Sequence, residues 1–485
     1  MNDVIIIGSG AGGSAAAHAL VNAGLKVILI EKGNDLPRDG STLDPQQVVH
    51  EGRFRSREGW RDGLGRDIEP EEYFNVGGKT RWYGAALLRY GEHEFGCDNA
   101  HGAPGWPIEP AALDEFYREA EHLLGVRQFE CEPNLSHIAR RLQLAAPRWR
   151  AQPLPLGLHE GILDDAREAR HFDGFASVRH LKGDAESAFL RDLRSNPNLR
   201  LLTGSAVVDL LPAGLYSQRV AGVRLEDGTT HFARAVILAA GALHSPRLLQ
   251  RYVRAEGLDE SLACADQIGR TLKLHLLTAM VAVSPGIKRD LIRKTLLLLH
   301  DDFPHSSIQP LGFDGELIST LVPRIVPRPL ANLIGERAYG FFLQTEDSAH
   351  PDNRVIGALR SADAAPVLDY SDSRSPAALQ EHRELVRRFR KDLARSGLLA
   401  FSRRIGITGT AHASGTLSAG SDPLTSVVDA QGRVHGLDSL YVVDGSILPR
   451  SSRVNPSLTI FAWSLRCARL LAQELHSGAF ARRSA

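Results

Sequence analysis

The sequence predicts an α/β fold of two lobes, one of them a doubly wound nucleotide-binding unit. Three observations predict it. The chain has 485 residues, more than one simple core supports. It opens on MNDVIIIGSGAGG, an apolar strand that runs into a glycine-rich turn. The same pattern, an apolar strand ending in small or acidic residues, returns as VILAAG at 236–241 and as LYVVD at 440–444.

The first element is VIII at 4–7, a continuous apolar run suited to a buried parallel strand. Gly8, Gly10 and Gly13 then fill a G-x-G-x-x-G pattern, with Ala11 inside it. Gly8 permits the tight turn, Gly10 lets backbone approach a pyrophosphate, and Gly13 lets the helix pack near the strand. The helix runs through SAAAHALVNAG, with Ala17 and Leu20 on its inner face and Gly24 at its end. The second strand, KVILIE, ends in Glu31, followed by Lys32. An acid about 20 residues beyond the glycines meets the ribose hydroxyls of a dinucleotide. This spacing fits FAD as well as NAD.

VGGKTRWYGAALLRY, from Val76, is a second glycine-rich turn. It suits either a flat cofactor or an ordinary helix entry. GWPIEPAALDEFYREAEHLLGV, from Gly105, reads as a turn and an amphipathic helix, with Leu113, Phe116, Tyr117, Ala120, Leu123 and Leu124 inward and Trp106 structural. Residues 199–241 read as a small sheet. LRLLTGSAVVDLL is a strand pair, and Asp227–Gly228 is the turn of a hairpin that leads into VILAAG. SPAALQEHRELVRRFRKDLARSGL is an amphipathic helix with a solvated basic face. The apolar pieces LLLLHDDF and RIVPRPLANLIG suit either core or a pocket wall, and HSGAFARRSA reads as a docking or solvent tail.

Composition narrows the classes. Basic and acidic residues are equal at 57 each, so no basic excess points to nucleic acid. Cys97, Cys131, Cys264 and Cys467 show no C-x-x-C spacing and no haem or iron–sulfur run. They read as free thiols, with a Cys97–Cys131 disulfide as the alternative. The start lacks a basic leader and no apolar run reaches membrane-span length, so a cytoplasmic protein is expected.

At the C-terminus, His412 sits in ITGTAHASGTLSAG among small residues, where something else approaches closely. Asp444 ends its strand, placed to cap a turn or to meet a cofactor. Asn455-Pro456 opens the apolar helix SLTIFAWSLRCARLLAQEL, with Asn as N-cap and Pro in the first turn. His244, His275 and His435 read as loop or structural histidines.

These residues carry a resemblance over nearly the whole length to the glucose–methanol–choline (GMC) oxidoreductases. The Gly8–Gly13 turn with Glu31 resembles that family's FAD site. VGGKTRWYGA resembles its first signature and AAGALHSPRLLQ its second. IGRTLKLH resembles the loop after that, and HASGT…VVDAQGRVHGLDSLYVVDGSILP…NP its C-terminal block. Within the family, the chain looks nearer to bacterial sugar and polyol oxidoreductases and to pyranose oxidases.

The resemblance implies a Rossmann-like FAD-binding domain from residues 1–90, 196–272 and 405–485. It implies a discontinuous α+β substrate-binding domain, an antiparallel sheet flanked by helices, from 91–195 and 273–404. It implies oxidation of a CH–OH group of a sugar, glycoside or other alcohol, with hydride passing to flavin N5. His412 falls at the family's base and Asn455 at its partner. Gly77, Gly78, Thr80, Arg81, Val207, Ala240, Gly241, Asp444, Gly445, Pro456 and Ser457 fall beside the cofactor, along with Gly8, Gly10, Ala11, Gly13, Glu31 and Lys32. Arg81 stands where covalently flavinylated members carry histidine, so the expected FAD is non-covalent. The expected partners are a small alcohol or sugar and an electron acceptor, oxygen or another. Oligomeric state stays open. A lyase or photoenzyme on the same scaffold, or a flavin subunit of a larger complex, are the alternatives.

Overall fold

The computed structural model describes residues 2–214, 217–321, 326–357 and 364–477. Residues 478–485 of the C-terminal tail, and Arg324 and Ile325 of RIVPRPLANLIG, lie outside the described residues.

β1 (Asn2–Ile7), α1 (Ala11–Asn22) and β2 (Val27–Ile30) form the opening unit in the predicted order. β1 lies inside a seven-stranded sheet. It pairs in parallel with β2 on one side and with Thr230–Leu238 on the other. Leu199–Leu202 continues the parallel set beyond β2, and Leu440–Val442 lies parallel to Thr230–Leu238. Val4, Ile5 and Ile6 are fully buried, as a strand covered on both faces requires. The helix Ser457–His476 packs against α1 and buries Leu458, Phe461, Ala462, Leu465, Ala468 and Leu471, while Arg466, Arg469, Gln473 and Glu474 keep to its more exposed face.

LRLLTGSAVVDLL holds two strands, but they do not pair with each other. Leu199–Leu202 joins β2, and Val207–Pro212 pairs antiparallel with Val220–Leu225. The link between them is bonded to the end of β2 instead. Gly204 N–H donates to the Gly33 carbonyl and Ser205 N–H to that of Glu31. The Asp227–Gly228 hairpin forms as expected.

The second sheet is antiparallel and six-stranded, ordered Leu399–Arg404, Leu276–Val283, Ala338–Thr345, Ser306–Pro310, Leu296–His300 and Trp149–Pro153. The helix Pro376–Arg395 lays Leu385, Phe389 and Leu393 into a core with Trp149 and Phe341. LLLLH is therefore a core strand, whereas Leu330 and Leu333 of the helix Arg328–Glu336 are exposed. The four cysteines are free thiols. Among the described residues no helix is long and apolar enough to cross a membrane.

The glycines at the end of β1 are set by sterics. A Cβ on Gly13 would lie 1.8 Å from the Gly8 carbonyl oxygen, and one on Gly12 would lie 2.2 Å from that of Val443. Both clashes are with backbone, which has no rotamer to yield. Gly13→Ala is therefore expected to cost about 1–3 kcal/mol or more through overpacking. A thermal melt lowered by several degrees checks it.

Candidate active site

A cavity of about 920 Å³ runs from Glu31 to His412. This is the upper range for small-ligand sites, roughly 300–1,000 Å³. The carboxyl ends of β1, Thr230–Leu238 and Leu440–Val442 form one wall, where parallel sheets offer their loops to ligands. The second sheet contributes Gln309 and Phe342.

Gly8, Gly10, Ala11, Glu31, Lys32, Gly78, Thr80, Val207, Ala240, Gly241, His412, Asp444, Gly445, Asn455, Pro456 and Ser457 all line this cavity. Gly13, Gly77 and Arg81 are not among its lining residues. Gly13 faces β1, as helix–strand packing requires. Gly77 donates its N–H to Oγ of Ser9, a lining residue, and so braces the wall. Arg81 points away into a buried acidic site, where it pairs with Asp184 and Glu186 and donates to the Ser177 carbonyl.

At the nucleotide end, a Cβ on Gly10 would meet nothing within 4 Å. The space in front of it is open, and no side chain caps α1. The unpaired N–H groups and positive dipole end of a helix favour phosphate there. The Glu31 carboxylate accepts from Ser9 N–H, Ser9 Oγ and Gly33 N–H at 2.7–3.0 Å. Burial raises its pKa against the pull of those bonds. With three of its roughly four acceptor sites taken, Oε1 keeps one for a ligand hydroxyl. These residues fit a dinucleotide.

Asp444 joins two loops. One carboxylate oxygen accepts from Gly241 N–H and Ser245 Oγ, the other from Ser446 N–H and Oγ. Burial raises its pKa, and the four donors oppose the rise.

At the other end, His412 Nδ1 lies 3.0 Å from His275 Nδ1, and His412 Nε2 lies 3.4 Å from Asn455 Nδ2. Gln309 Nε2 donates to Asn455 Oδ1 at 2.5 Å. Asn455 is not the N-cap that its sequence position suggests. The helix begins at Ser457 with Pro456 at the cap position, so the Asn455 amide is available to the cavity. Burial holds the His412 pKa well below 6.5, and His275, Lys294 and Lys79 lower it further.

Both of these lysines are paired. Lys294 meets Asp173 at 3.0 Å, and Asp173 also accepts from Gly312 N–H. Lys79 pairs with Glu72, which accepts from His244 as well. Burial opposes ionisation of Glu72, but Lys79 and His244 prevail and bring it down to about 2.

His275, Gln309, Asp173, Lys294 and Glu72 escape sequence reasoning. His275 alone lay in a flagged segment, IGRTLKLH, but without a spacing that marks it. Its backbone is a clearer sign. His275 and Ser452 are left-handed, with φ of 61° and 65°. Such strain costs roughly 1–3 kcal/mol per residue and gathers at functional sites. His435 is bonded to Ser426 and the Gly420 carbonyl, away from the cavity. The cluster His101, His305 and Glu381 has metal-ligand spacing. His305, however, bridges Glu381 and Asp98 at 3.0 and 2.9 Å, and these bonds raise its pKa against burial. An imidazolium between two carboxylates accounts for the group.

The fold and the cleft define a dinucleotide-binding protein, and its relatives make it an FAD-dependent oxidoreductase. Residues 3–276 match the family model of FAD dependent oxidoreductases, and residues 349–464 match that of GMC oxidoreductases. The chain is 32% identical to the 6'''-hydroxyparomomycin C oxidase of Streptomyces lividus and 30% identical to the paromamine 6'-oxidase of Streptomyces fradiae, each over 98% of this chain and 92% of the relative. It is 26% identical to the C-glycoside 3-oxidase of Microbacterium trichothecenolyticum, over 90% of this chain and 82% of that one. Pyridoxine 4-oxidase from Mesorbium loti shares the fold, with a TM-score of 0.67 at 20% identity over 98% of this chain and 99% of that one. The protein belongs to the GMC oxidoreductase family.

Gly10 separates stability from binding. Gly10→Ala has room in the empty cavity and is expected to melt within about a degree or two of the parent. Its methyl then occupies ligand space, and FAD binding is expected to weaken roughly tenfold, about 1.4 kcal/mol. Flavin fluorescence titration of the apoprotein checks this.

Proposed function

We propose that the protein oxidises a CH–OH group of a sugar, glycoside or other polyol, with His412 as general base and Asn455 as its partner. One observation carries the reading. His412 Nε2 and Asn455 Nδ2 converge at one end of the cavity whose other end is Glu31 and the Gly8–Gly10 turn. Bound FAD supplies the hydride acceptor. Gly8, Gly10, Ala11 and the start of α1 hold its pyrophosphate, Glu31 its ribose, and Val207 borders the same end. Gly78, Thr80, Ala240, Gly241, Gly445, Pro456 and Ser457 offer backbone and small side chains beside its ring.

The chain's own groups do the proton work. His412 Nε2 takes the hydroxyl proton, and the Asn455 amide N–H donates to the same oxygen. A gap of 3.4 Å between these atoms is wide for a direct bond, and a substrate oxygen can engage both. Gln309 holds the Asn455 amide in place. His412 is neutral near pH 7 because burial disfavours its cation, so it needs no prior deprotonation. Asp173 can accept and Lys294 can donate to further substrate hydroxyls. Phe313, Leu317 and Phe342 supply apolar wall for the C–H faces. The sugar-oxidising relatives support this class.

The FAD is proposed to be dissociable. Residues 79–84 carry no histidine, and Arg81, at the position expected for one, faces Asp184 and Glu186. Acid precipitation should leave the yellow colour in the supernatant. A yellow pellet would refute this.

Anaerobic spectra with amino sugars, glycosides, cyclitols and simple alcohols test the reaction. One class should bleach the flavin band. His412→Ala should stay yellow and reduce about 10²–10⁴-fold more slowly, the usual worth of a general base. Failure of every substrate to bleach the flavin would defeat the proposal. The sign of the pH dependence is also set. The folded pKa of His412 is lowered, so its neutral, proton-accepting form persists as pH falls through 6.5. The reduction rate in stopped flow should therefore show no histidine-like drop at that pH.

A further inference from the structure

We infer that His275 is a positioning residue that holds His412 in the tautomer with its proton on Nδ1 and its lone pair on Nε2. The argument starts from groups that have no choice. His275 Nε2 lies 2.9 Å from the Ser451 carbonyl and 2.7 Å from the Ser452 carbonyl. Carbonyl oxygens only accept, so this nitrogen carries a proton. A neutral imidazole has one N–H, and His275 Nδ1 is then an acceptor. Its partner at 3.0 Å, His412 Nδ1, must donate. That leaves His412 Nε2 unprotonated and turned toward Asn455 and the cavity.

The anchor is itself fixed. The Ser451 carbonyl also accepts from Tyr90 Oη, and Ser451 Oγ receives Asp347 N–H. Ser452 Oγ and Arg453 N–H both donate to Glu94. His275 and Ser452, the two ends of one hydrogen bond, are both left-handed. A relaxed backbone at either would move the imidazole or the carbonyl from the other. The neutral state of His275 also has support. Burial lowers its pKa, although Asp347, Glu346 and the two carbonyls favour the cation. An imidazolium at this position would donate from Nδ1 and reverse the tautomer of His412.

The inference rests on the proposed role of His412 for its catalytic meaning, but not for its test. The holoenzyme, labelled with ¹⁵N in its histidine rings, is examined by NMR at pH 8, with the His412 signals assigned by their loss in His412→Gln. Wild type should show a protonated Nδ1 and a pyridine-like Nε2. His275→Gly keeps the left-handed backbone without strain but removes the acceptor, and its His412 shifts should move to averaged values. His275→Asn tolerates the same backbone region and places a carbonyl oxygen near the lost Nδ1, so it should restore the wild-type shifts. With a sugar that bleaches the flavin, the limiting reduction rate should fall about 10²-fold in the glycine variant, with half-saturation unchanged, and recover in the asparagine variant. A wild-type His412 protonated on Nε2 overturns the inference, as do unchanged shifts in His275→Gly. An asparagine variant no better than glycine also overturns it. If no sugar bleaches the flavin, the shifts still decide the tautomer, and only the oxidation reading falls.

Discussion

The site depends on a steric constraint: strand ends and loops meet with backbone where side chains would otherwise be. A Cβ on Gly8 would lie 2.4 Å from the Ala239 carbonyl oxygen, and those on Gly12 and Gly13 would strike Val443 and Gly8. Three parallel strands thus deliver their loops to one place at backbone contact distance. Asp444 completes the junction, bonding the loop after Thr230–Leu238 to the one after Leu440–Val442. Its carboxylate is occupied by protein donors on both oxygens. It lines the cavity as a clamp, and the cavity walls hold their spacing because this buried acid has four partners.

The same burial sets the chemistry at the other end. Two lysines near His412 would repel its cation, and burial alone already disfavours it. Each lysine has its own acid, Asp173 or Glu72, so neither is an uncompensated buried charge. The result is a neutral imidazole in a site of closed ion pairs. In the proposed reaction a polar substrate would meet fixed donors and acceptors, with little reorganisation needed for proton transfer.

The legible parts of the sequence were those whose chemistry is local. Gly8 to Glu31 spans one strand–helix–strand unit, so spacing alone pointed to this end of the cavity. His412 and Asn455 were legible through a resemblance in the C-terminal block and not through spacing. What could not be read was assembled by long-range pairing. Gln309 reaches Asn455 from the strand Ser306–Pro310, and Lys294 meets Asp173 across a long stretch of chain. Local rules also misdirected. Asn455 before Pro456 has the composition of a helix cap, yet tertiary contacts use its amide elsewhere. Val207–Pro212 follows Leu199–Leu202 as a hairpin partner would, but bonds to the end of β2 reroute it. Arg81 sits in a segment beside the cavity, but its side chain is drawn to Asp184 and Glu186.

The small residues around His412 have a second cause besides an approaching ligand. Gly415 is left-handed, and a Cβ there would lie 2.0 Å from Lys273 Nζ. Lys273 is fully buried, donates to the Thr271 carbonyl at 2.8 Å, and is lowered to about 8 by burial, with Asp347 and Glu346 opposing. Its backbone exchanges two hydrogen bonds with Ser414. Thr271 and His275, on either side of Lys273, are both left-handed. The segment 271–275 therefore does two jobs from one irregular backbone. Lys273 props the loop that carries His412 from below, and His275 meets the His412 ring directly. Lys273 and His275 are two residues apart, the spacing that puts side chains on one face of an extended chain, so both can address the same loop.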